Sequence, residues 1–177
     1  MITPRKVGLP LNKDVIRGLK AGEVVELYGT VYTARDAAHK KLVDTLKNGG
    51  RIPLKLKGAV LYYCGPTPAL KGKLIGSCGP TTSGRMDEYT PLLLSRGIAA
   101  VIGKGRRSDK TKSAFKKYGA VYFIAVGGCG ALYSRCIKKC RVVAYPELGT
   151  EAVRELVIEK FPVVVGITPG RRDITDK

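Results

Sequence analysis

Several residue types and patterns are scarce or missing in this chain. It has no tryptophan and only three phenylalanines, so an aromatic platform of the kind that stacks RNA bases has few residues to be built from. No apolar run reaches the length of about eighteen residues that a membrane-spanning helix needs. The opening residues MITPRKVGLPLNKD lack the apolar core of a signal peptide, and we therefore expect a cytoplasmic protein with no membrane partner.

Acidic residues are also few, and this imbalance is the main compositional feature. The chain has 14 Asp plus Glu against 32 Lys plus Arg, which gives a net charge of +18. Such a charge favours a negatively charged partner, whether a nucleic acid, a small anion or an acidic subunit. The paired carboxylates and the Ser-His-Asp arrangements of familiar hydrolases are not evident in the sequence.

The five cysteines stand at positions 64, 78, 129, 136 and 140. Their number is odd, and their spacing matches neither the paired C-x2-C of zinc sites nor the common iron–sulfur runs. We therefore expect small buried side chains or free thiols. A metal site made by this chain alone is not expected.

Length and patterning predict one mixed α/β domain that spans residues 1–177. Apolar runs of strand length, several of which end in glycine, alternate with helical segments, which places functional loops at strand ends. The runs are EVVELYGTVY (a hairpin, or a bent strand with its break at Gly29), KGAVLYYCG, KLIGSCG, AAVIGKG, AVYFIAVGG, RVVAYPE and FPVVVGI. Helices are predicted at about 12–20, at about 34–48, in TPLLLSRG with Thr90 as N-cap, and at 151–160 in EAVRELVIEK.

The helix predicted after Arg35 places a cation toward the interior. Arg35, His39, Leu42 and Leu46 share one face at helical spacing, and the two leucines must point to the core. A guanidinium in that position needs a partner, and a carboxylate or phosphate matches its geometry. An internal salt bridge to Asp36 or Glu23, or an exposed Arg35 beyond the helix start, is the alternative.

The stretch GPTTSGRM, at 79–86, is the second candidate for anion binding. It nearly fits the phosphate-binding P-loop but has Arg85 for the lysine and Met86 for the serine or threonine, so nucleotide binding is weakly supported. A glycine-rich turn with Thr81 and Arg85 one helical turn apart still offers backbone N–H groups and a cation to one ligand. A capped turn without function is the alternative.

The third candidate is Lys104, which stands between Gly103 and Gly105 after the strand-like AAVI. Glycines on both sides suit a lysine held in an ordered turn. A solvated basic loop, IGKGRRS, would account for the same residues.

These motifs resemble a known family. TARDAAHKKL, CGPTPA, GPTTSGRMDEY and IGKGRRS, in this order, resemble the beta subunit of the class I (iron–sulfur) fumarase and L-tartrate dehydratase family, which is the C-terminal domain of single-chain members. The resemblance extends from about Leu9 to Gly170. It implies a swivelling β/β/α domain and an obligate alpha subunit, in an assembly such as α2β2. It also implies that a four-iron, four-sulfur cluster is held by cysteines of that partner, so that this chain supplies no ligand to a cofactor or metal.

The resemblance also implies roles for particular residues. Arg35, Arg85 and Lys104 would bind the carboxylates of a small dicarboxylate, Thr81 and Lys104 would serve in proton transfer, and His39 would bind substrate or orient Arg35. The expected reaction is the reversible hydration of fumarate to L-malate. Dehydration of L-tartrate is the alternative within the family, and a basic nucleic-acid-binding module is the alternative from another class, although no nucleic acid is expected. The last dozen residues follow the family loosely, with Thr168 and Pro169 where an acidic residue is expected.

Overall fold

The computed structural model describes residues 4–52, 54–170 and 173–174. Its seven strands are β1 (Arg5–Gly8), β2 (Val24–Thr33), β3 (Val60–Tyr62), β4 (Ala100–Gly103), β5 (Val121–Ile124), β6 (Ile137–Ala144) and β7 (Val153–Ile167). Its helices are α1 (Lys13–Arg17), α2 (Asp36–Lys47), α3 (Thr90–Ser95), α4 (Asp109–Tyr118) and α5 (Gly130–Arg135), with 3₁₀ segments at Ser83–Met86 and Pro146–Glu151.

Five of the strands close into a mixed barrel. Strands β2, β3, β4 and β5 pair in that order and run parallel, and β7 pairs antiparallel with both β5 and β2, which joins the two edges. β1 adds to β2 and β6 adds to β7 outside the ring. The expected mixed α/β class is confirmed as a single domain with this barrel and its helices. The swivelling motion stays a prediction.

The central strands are buried on both faces. Val60 and Tyr62 of β3 belong to one apolar cluster, whereas the intervening Leu61 and the following Tyr63 belong to a second. Because side chains alternate across a strand, one cluster fills the barrel and the other lies under the helices. Leu42 of α2 is fully buried in the outer cluster.

The helix predicted at 151–160 is wrong. EAVRELVIEK lies mostly within β7, whose 15 residues pair with β2, β5 and β6. Its apolar residues fit a helical period, but β-branched residues such as Val157 and Ile158 also suit a strand. Pairing on both edges decides between the two patterns. The strand predicted for KLIGSCG is also wrong, because no strand lies between Tyr62 and Ala100.

The other helix predictions agree with the structure within a few residues. α1 and α2 occupy parts of the segments predicted at about 12–20 and 34–48. β2 is one strand rather than a hairpin, and its pairing with β7 shifts register between Leu27 and Gly29. α3 begins at Thr90, so its N-cap is Tyr89 and the prediction of Thr90 as cap is off by one residue. No helix among the described residues has the length and apolarity to cross a bilayer.

Candidate active site

Two of the candidate cations, and the loop that carries Thr81, lie where parallel strands end. Arg35 follows β2, Lys104 follows β4 directly, and the loop 63–82 follows β3. The carboxyl ends of parallel neighbours meet at one edge of a sheet, and ligands of open α/β sheets bind at that edge. The loops predicted to be functional therefore lie together, at the carboxyl edge of the parallel strands of the barrel.

Thr81 and Lys104 are held together by the backbone. The Thr81 N–H donates to the Tyr63 carbonyl at 2.6 Å, and the Lys104 N–H donates to the Thr81 carbonyl at 3.3 Å. The Ser83 N–H in turn donates to the Lys104 carbonyl at 2.9 Å, within an isolated parallel bridge between Thr82 and Lys104. The loop that carries Thr81 is thus fixed to the ends of both β3 and β4.

The Lys104 ammonium has no ion-pair partner among the residues that the structure describes, and its residue is half-buried. A methyl group added at Gly127, in the loop after β5, would come within 3.4 Å of Lys104 Cδ and 3.6 Å of Nζ. Gly127 therefore leaves room for the lysine side chain beside it. A partly desolvated, unpaired ammonium is a favourable place for an anion.

One carboxylate joins the two arginines. Arg85 donates to Asp36 from Nε at 2.9 Å and from Nη2 at 2.8 Å, and Arg35 Nε donates to the same carboxylate at 3.2 Å. Arg35 Nε also lies 3.3 Å from Glu151 Oε1. Of the two partners expected for an internal salt bridge, Asp36 is present and Glu23 is replaced by Glu151, a residue the sequence reasoning missed.

Both arginines keep donors for a further anion. A guanidinium has five N–H groups, of which Arg35 uses only Nε and Arg85 only Nε and Nη2 toward carboxylates in the described part of the chain. Partial burial would raise the pKa of Asp36, but a hydrogen bond from its own backbone N–H and the charge of Arg85 outweigh it, and the pKa is lowered. Asp36 therefore stays ionised and keeps the two guanidinium groups adjacent.

Close packing around Arg35 depends on a glycine. A methyl group added at Gly65 would lie 2.9 Å from Arg35 Cδ and 3.1 Å from its Nη1. Gly65 belongs to the CGPT sequence that follows β3, and Cys64 beside it has its sulfur 3.1 Å from that of Cys78 in the second CGPT sequence. The sequence Cys-Gly-Pro-Thr occurs at 64–67 and again at 78–81, and the two copies thus lie against each other.

His39 is fully buried behind Arg35. Its Nδ1 lies 3.0 Å from the Arg35 carbonyl oxygen, and its ring meets that of Tyr63 edge-on at 4.9 Å. Burial lowers its pKa to about 4, so the imidazole is neutral at neutral pH. A role in substrate binding stays a prediction, and the geometry gives His39 an indirect route to the site through the Arg35 backbone.

A buried cation, Arg107, supports the site and was missed from the sequence, where IGKGRRS also fits a solvated loop. The Arg107 side chain has no exposed surface, and its Nε donates to Asp87 at 2.7 Å. Asp87 directly follows the 3₁₀ turn that carries Arg85, and it also accepts the Ser108 N–H at 2.6 Å. No local pattern distinguishes Arg107 from its neighbours, because its burial depends on packing against Tyr63, Phe115 and Tyr122.

The site does not offer a metal-ligand set. Among the described residues, no three His, Cys, Asp or Glu side chains are grouped so that they could hold a metal ion. The five cysteines are free thiols, of which Cys64 and Cys78 are buried. These donors do not fit an iron–sulfur cluster, so we assign none of the chemistry of a cluster to this chain's side chains.

Fold and site together define a mixed α/β barrel domain with a group of cationic side chains beside the carboxyl ends of its parallel strands. Comparison with known proteins gives the family. The family model described as "Fumarase C-terminus" matches residues 3–175, and the chain belongs to that family.

The relatives of this chain include fumarate hydratases and a tartrate dehydratase subunit. It is 39% identical over 158 residues to "Fumarate hydratase 2" of Leishmania major, covering 88% of this chain and 28% of that protein. It is 39% identical to "Fumarate hydratase class I, aerobic" of Escherichia coli (strain K12), covering 80% of this chain and 26% of that protein. It is 37% identical to "Putative L(+)-tartrate dehydratase subunit beta" of Methanocaldococcus jannaschii, covering 89% of this chain and 84% of that subunit.

The chain thus spans about a quarter of the length of these fumarate hydratases and most of the length of the beta subunit. The resemblance found in the motifs is confirmed: the chain is homologous to the C-terminal, or beta, region of class I fumarases and tartrate dehydratases.

Proposed function

We propose that this chain is the beta subunit of a two-subunit iron–sulfur hydro-lyase that hydrates fumarate reversibly to L-malate. A separate alpha subunit holds the cluster and completes the site. Its fumarate hydratase relatives carry most of their length outside the matched region, and a relative of similar extent is named as a beta subunit. An α2β2 assembly would give each cluster one copy of this domain.

The observation that carries the proposal is the convergence of three cations at one barrel edge. Arg35 and Arg85 are brought together by Asp36, and Lys104 lies in the adjoining loop with no carboxylate partner among the described residues. A dicarboxylate has two anionic ends, and such a site offers separate cations for them. Held cations also stabilise the extra negative charge that develops when a proton is removed beside a carboxylate.

In this proposal Arg35 and Arg85 bind one carboxylate through their remaining N–H groups, and Lys104 binds the other. Thr81 moves the proton at the reacting carbon. A threonine hydroxyl is a weak base, so its alkoxide-like form needs neighbouring positive charge. The backbone bridge to Lys104 supports that role, because it fixes the ammonium-bearing residue beside Thr81. His39 acts indirectly, without touching the substrate, because its hydrogen bond holds the Arg35 carbonyl in place.

The test uses the chain purified anaerobically with its partner from its native cells. Conversion of L-malate to fumarate is followed by absorbance, with L-tartrate as a parallel substrate. Arg85→Ala should lower kcat/KM by about 10- to 100-fold, which corresponds to the loss of one or two charge-assisted hydrogen bonds. Arg96→Ala is the matched control, because Arg96 is an exposed arginine at the end of α3.

The outcomes separate the alternatives. Turnover of malate with a copurifying iron–sulfur subunit supports the proposal, and turnover of tartrate alone keeps the site and changes the substrate. Unchanged turnover in Arg85→Ala would show that the cations do not act on substrate. A preparation without an iron–sulfur subunit that turns over neither acid, and that carries RNA, would support the nucleic-acid alternative.

A further inference from the structure

Tyr122 has a polar group buried beneath the site that substrate binding does not explain. It lies in β5, on the face toward the helices, and has no exposed surface. Its hydroxyl lies 3.1 Å from Ser83 Oγ and donates to the Gly105 carbonyl at 2.9 Å. Burial raises the pKa of Tyr122 to about 12, so the hydroxyl keeps its proton at neutral pH.

The two partners of this hydroxyl belong to the two loops that carry the candidate site. Ser83 begins the 3₁₀ turn that contains Arg85, and it lies two residues after Thr81. Gly105 directly follows Lys104. One buried oxygen therefore connects the loop of Thr81 and Arg85 with the loop of Lys104, from the side opposite the solvent.

The Ser83 hydroxyl fits into a space that the absence of a side chain at Gly103 leaves open. A methyl group added at Gly103, the last residue of β4, would lie 2.0 Å from Ser83 Oγ and 3.1 Å from the Tyr63 ring. The serine hydroxyl thus occupies the space that a side chain on β4 would fill. Ser83 is fully buried, so a contact with substrate does not account for its hydroxyl.

We propose that Tyr122 is a positioning residue that, through Ser83 and Gly105, sets the spacing between Thr81 and Lys104. This inference rests on the proposed hydro-lyase function for its catalytic consequence. Backbone hydrogen bonds already join Thr81 and Ser83 to Lys104, and the Tyr122 hydroxyl adds a buried side-chain connection between Ser83 and Gly105. A loosened spacing costs turnover, because reacting groups must be held within fractions of an ångström.

The test begins with the amides that span the loops, which need no substrate. In Tyr122→Phe the backbone amides of Ser83 and Lys104 should exchange with deuterium at least about 5-fold faster than in the wild type. Tyr28→Phe is the matched control, because it also removes a hydrogen-bonded phenol, here one that donates to Glu26 at 2.8 Å. Tyr28 lies within β2, five residues before the strand reaches the site edge. Unchanged exchange of both amides in Tyr122→Phe overturns the inference.

The second part uses the complex with its partner and a double-mutant cycle. Tyr122→Phe and Ser83→Ala should each lower kcat by about 10-fold with a smaller change in KM, and the double variant should be no worse than either alone. Additive losses, or an unaltered kcat with faster amide exchange, would overturn the positioning role. If the wild-type complex turns over neither malate nor tartrate, the proposed function fails, and the exchange experiment alone decides whether Tyr122 holds the loops.

Discussion

His39 gives a prediction about pH that needs no substrate. It is the single histidine of the chain, it is fully buried, and its pKa is lowered to about 4 from its ordinary value of 6.5. Burial is the largest cause, and the nearby charge of Arg107 acts in the same direction. A hydrogen bond to the Arg35 carbonyl and the charge of Asp36 oppose the shift without reversing it.

The geometry explains why the folded protein resists protonation of this ring. The carbonyl of Arg35 can only accept, so Nδ1 carries the proton of the neutral imidazole. Nε2 is buried and has no partner among the described residues. A second proton would create a buried cation with an unsatisfied donor, with the Tyr63 and Tyr89 rings as its neighbours.

The sign of the effect follows from the two pKa values. Above pH 6.5 the ring is neutral in both states, and His39 contributes no pH dependence. Between about pH 6.5 and 4 the unfolded chain binds a proton that the folded chain does not, so the free energy of unfolding falls as the pH falls. The loss attributable to His39 is about 2 kcal/mol between pH 7 and 5, and about 3 kcal/mol once the pH is below 4.

The assay is urea unfolding of the full chain, followed by circular dichroism at pH 7 and at pH 5. Carboxylates begin to titrate in the same range, so the informative quantity is the difference between the wild type and His39→Asn. The asparagine amide can replace Nδ1 as donor to Arg35 and does not titrate. The reasoning is refuted if both proteins lose the same free energy, or if the imidazole proton resonance of the folded protein titrates near pH 6.5.

Two further predictions concern the buried polar and thiol groups. Arg107→Met should lower the free energy of unfolding, measured in urea, by about 3–5 kcal/mol, because it leaves the Asp87 carboxylate without its buried partner. The double variant with Asp87→Leu should recover part of that loss. Additive losses would contradict the pairing. Cys64 and Cys78 should resist labelling by a thiol reagent in the native chain and should react after denaturation. The partly exposed thiols should react in the native state; they are Cys129, Cys136 and Cys140. Labelling is followed by intact mass, and labelling of all five native thiols at one rate would contradict the burial of Cys64 and Cys78.

The candidate site was readable from the sequence to the extent that its residues are marked locally. Lys104 lies between glycines after a strand, and Thr81 and Arg85 lie in a glycine-rich turn, so short-range chain geometry already indicates an ordered loop with cations. Arg35 was marked by its position before a helix with an apolar face. These signals, together with the order of the motifs, were enough for the family, which the comparisons confirm.

The residues that hold the site residues in place could not be predicted from local sequence. Nothing near Glu151 or Arg107 in the sequence indicates that one meets Arg35 and the other lies buried beneath Arg85's turn. Both contacts join residues far apart in the chain, and they exist only because the barrel brings strand ends and returning loops together. The role inferred for Tyr122 was not predictable either, because the apolar pattern around it indicates only a strand.

The sequence by itself determined the mixed α/β composition, the approximate places of most strands, the cationic loops and the family. The tertiary structure decided that residues 153–167 form one long strand, that this strand closes the barrel, and that Asp36 unites two arginines. The physical reason is that local sequence sets which backbone conformations are favourable over a few residues. Pairing and burial between distant segments contribute more free energy than those preferences, and therefore choose among them.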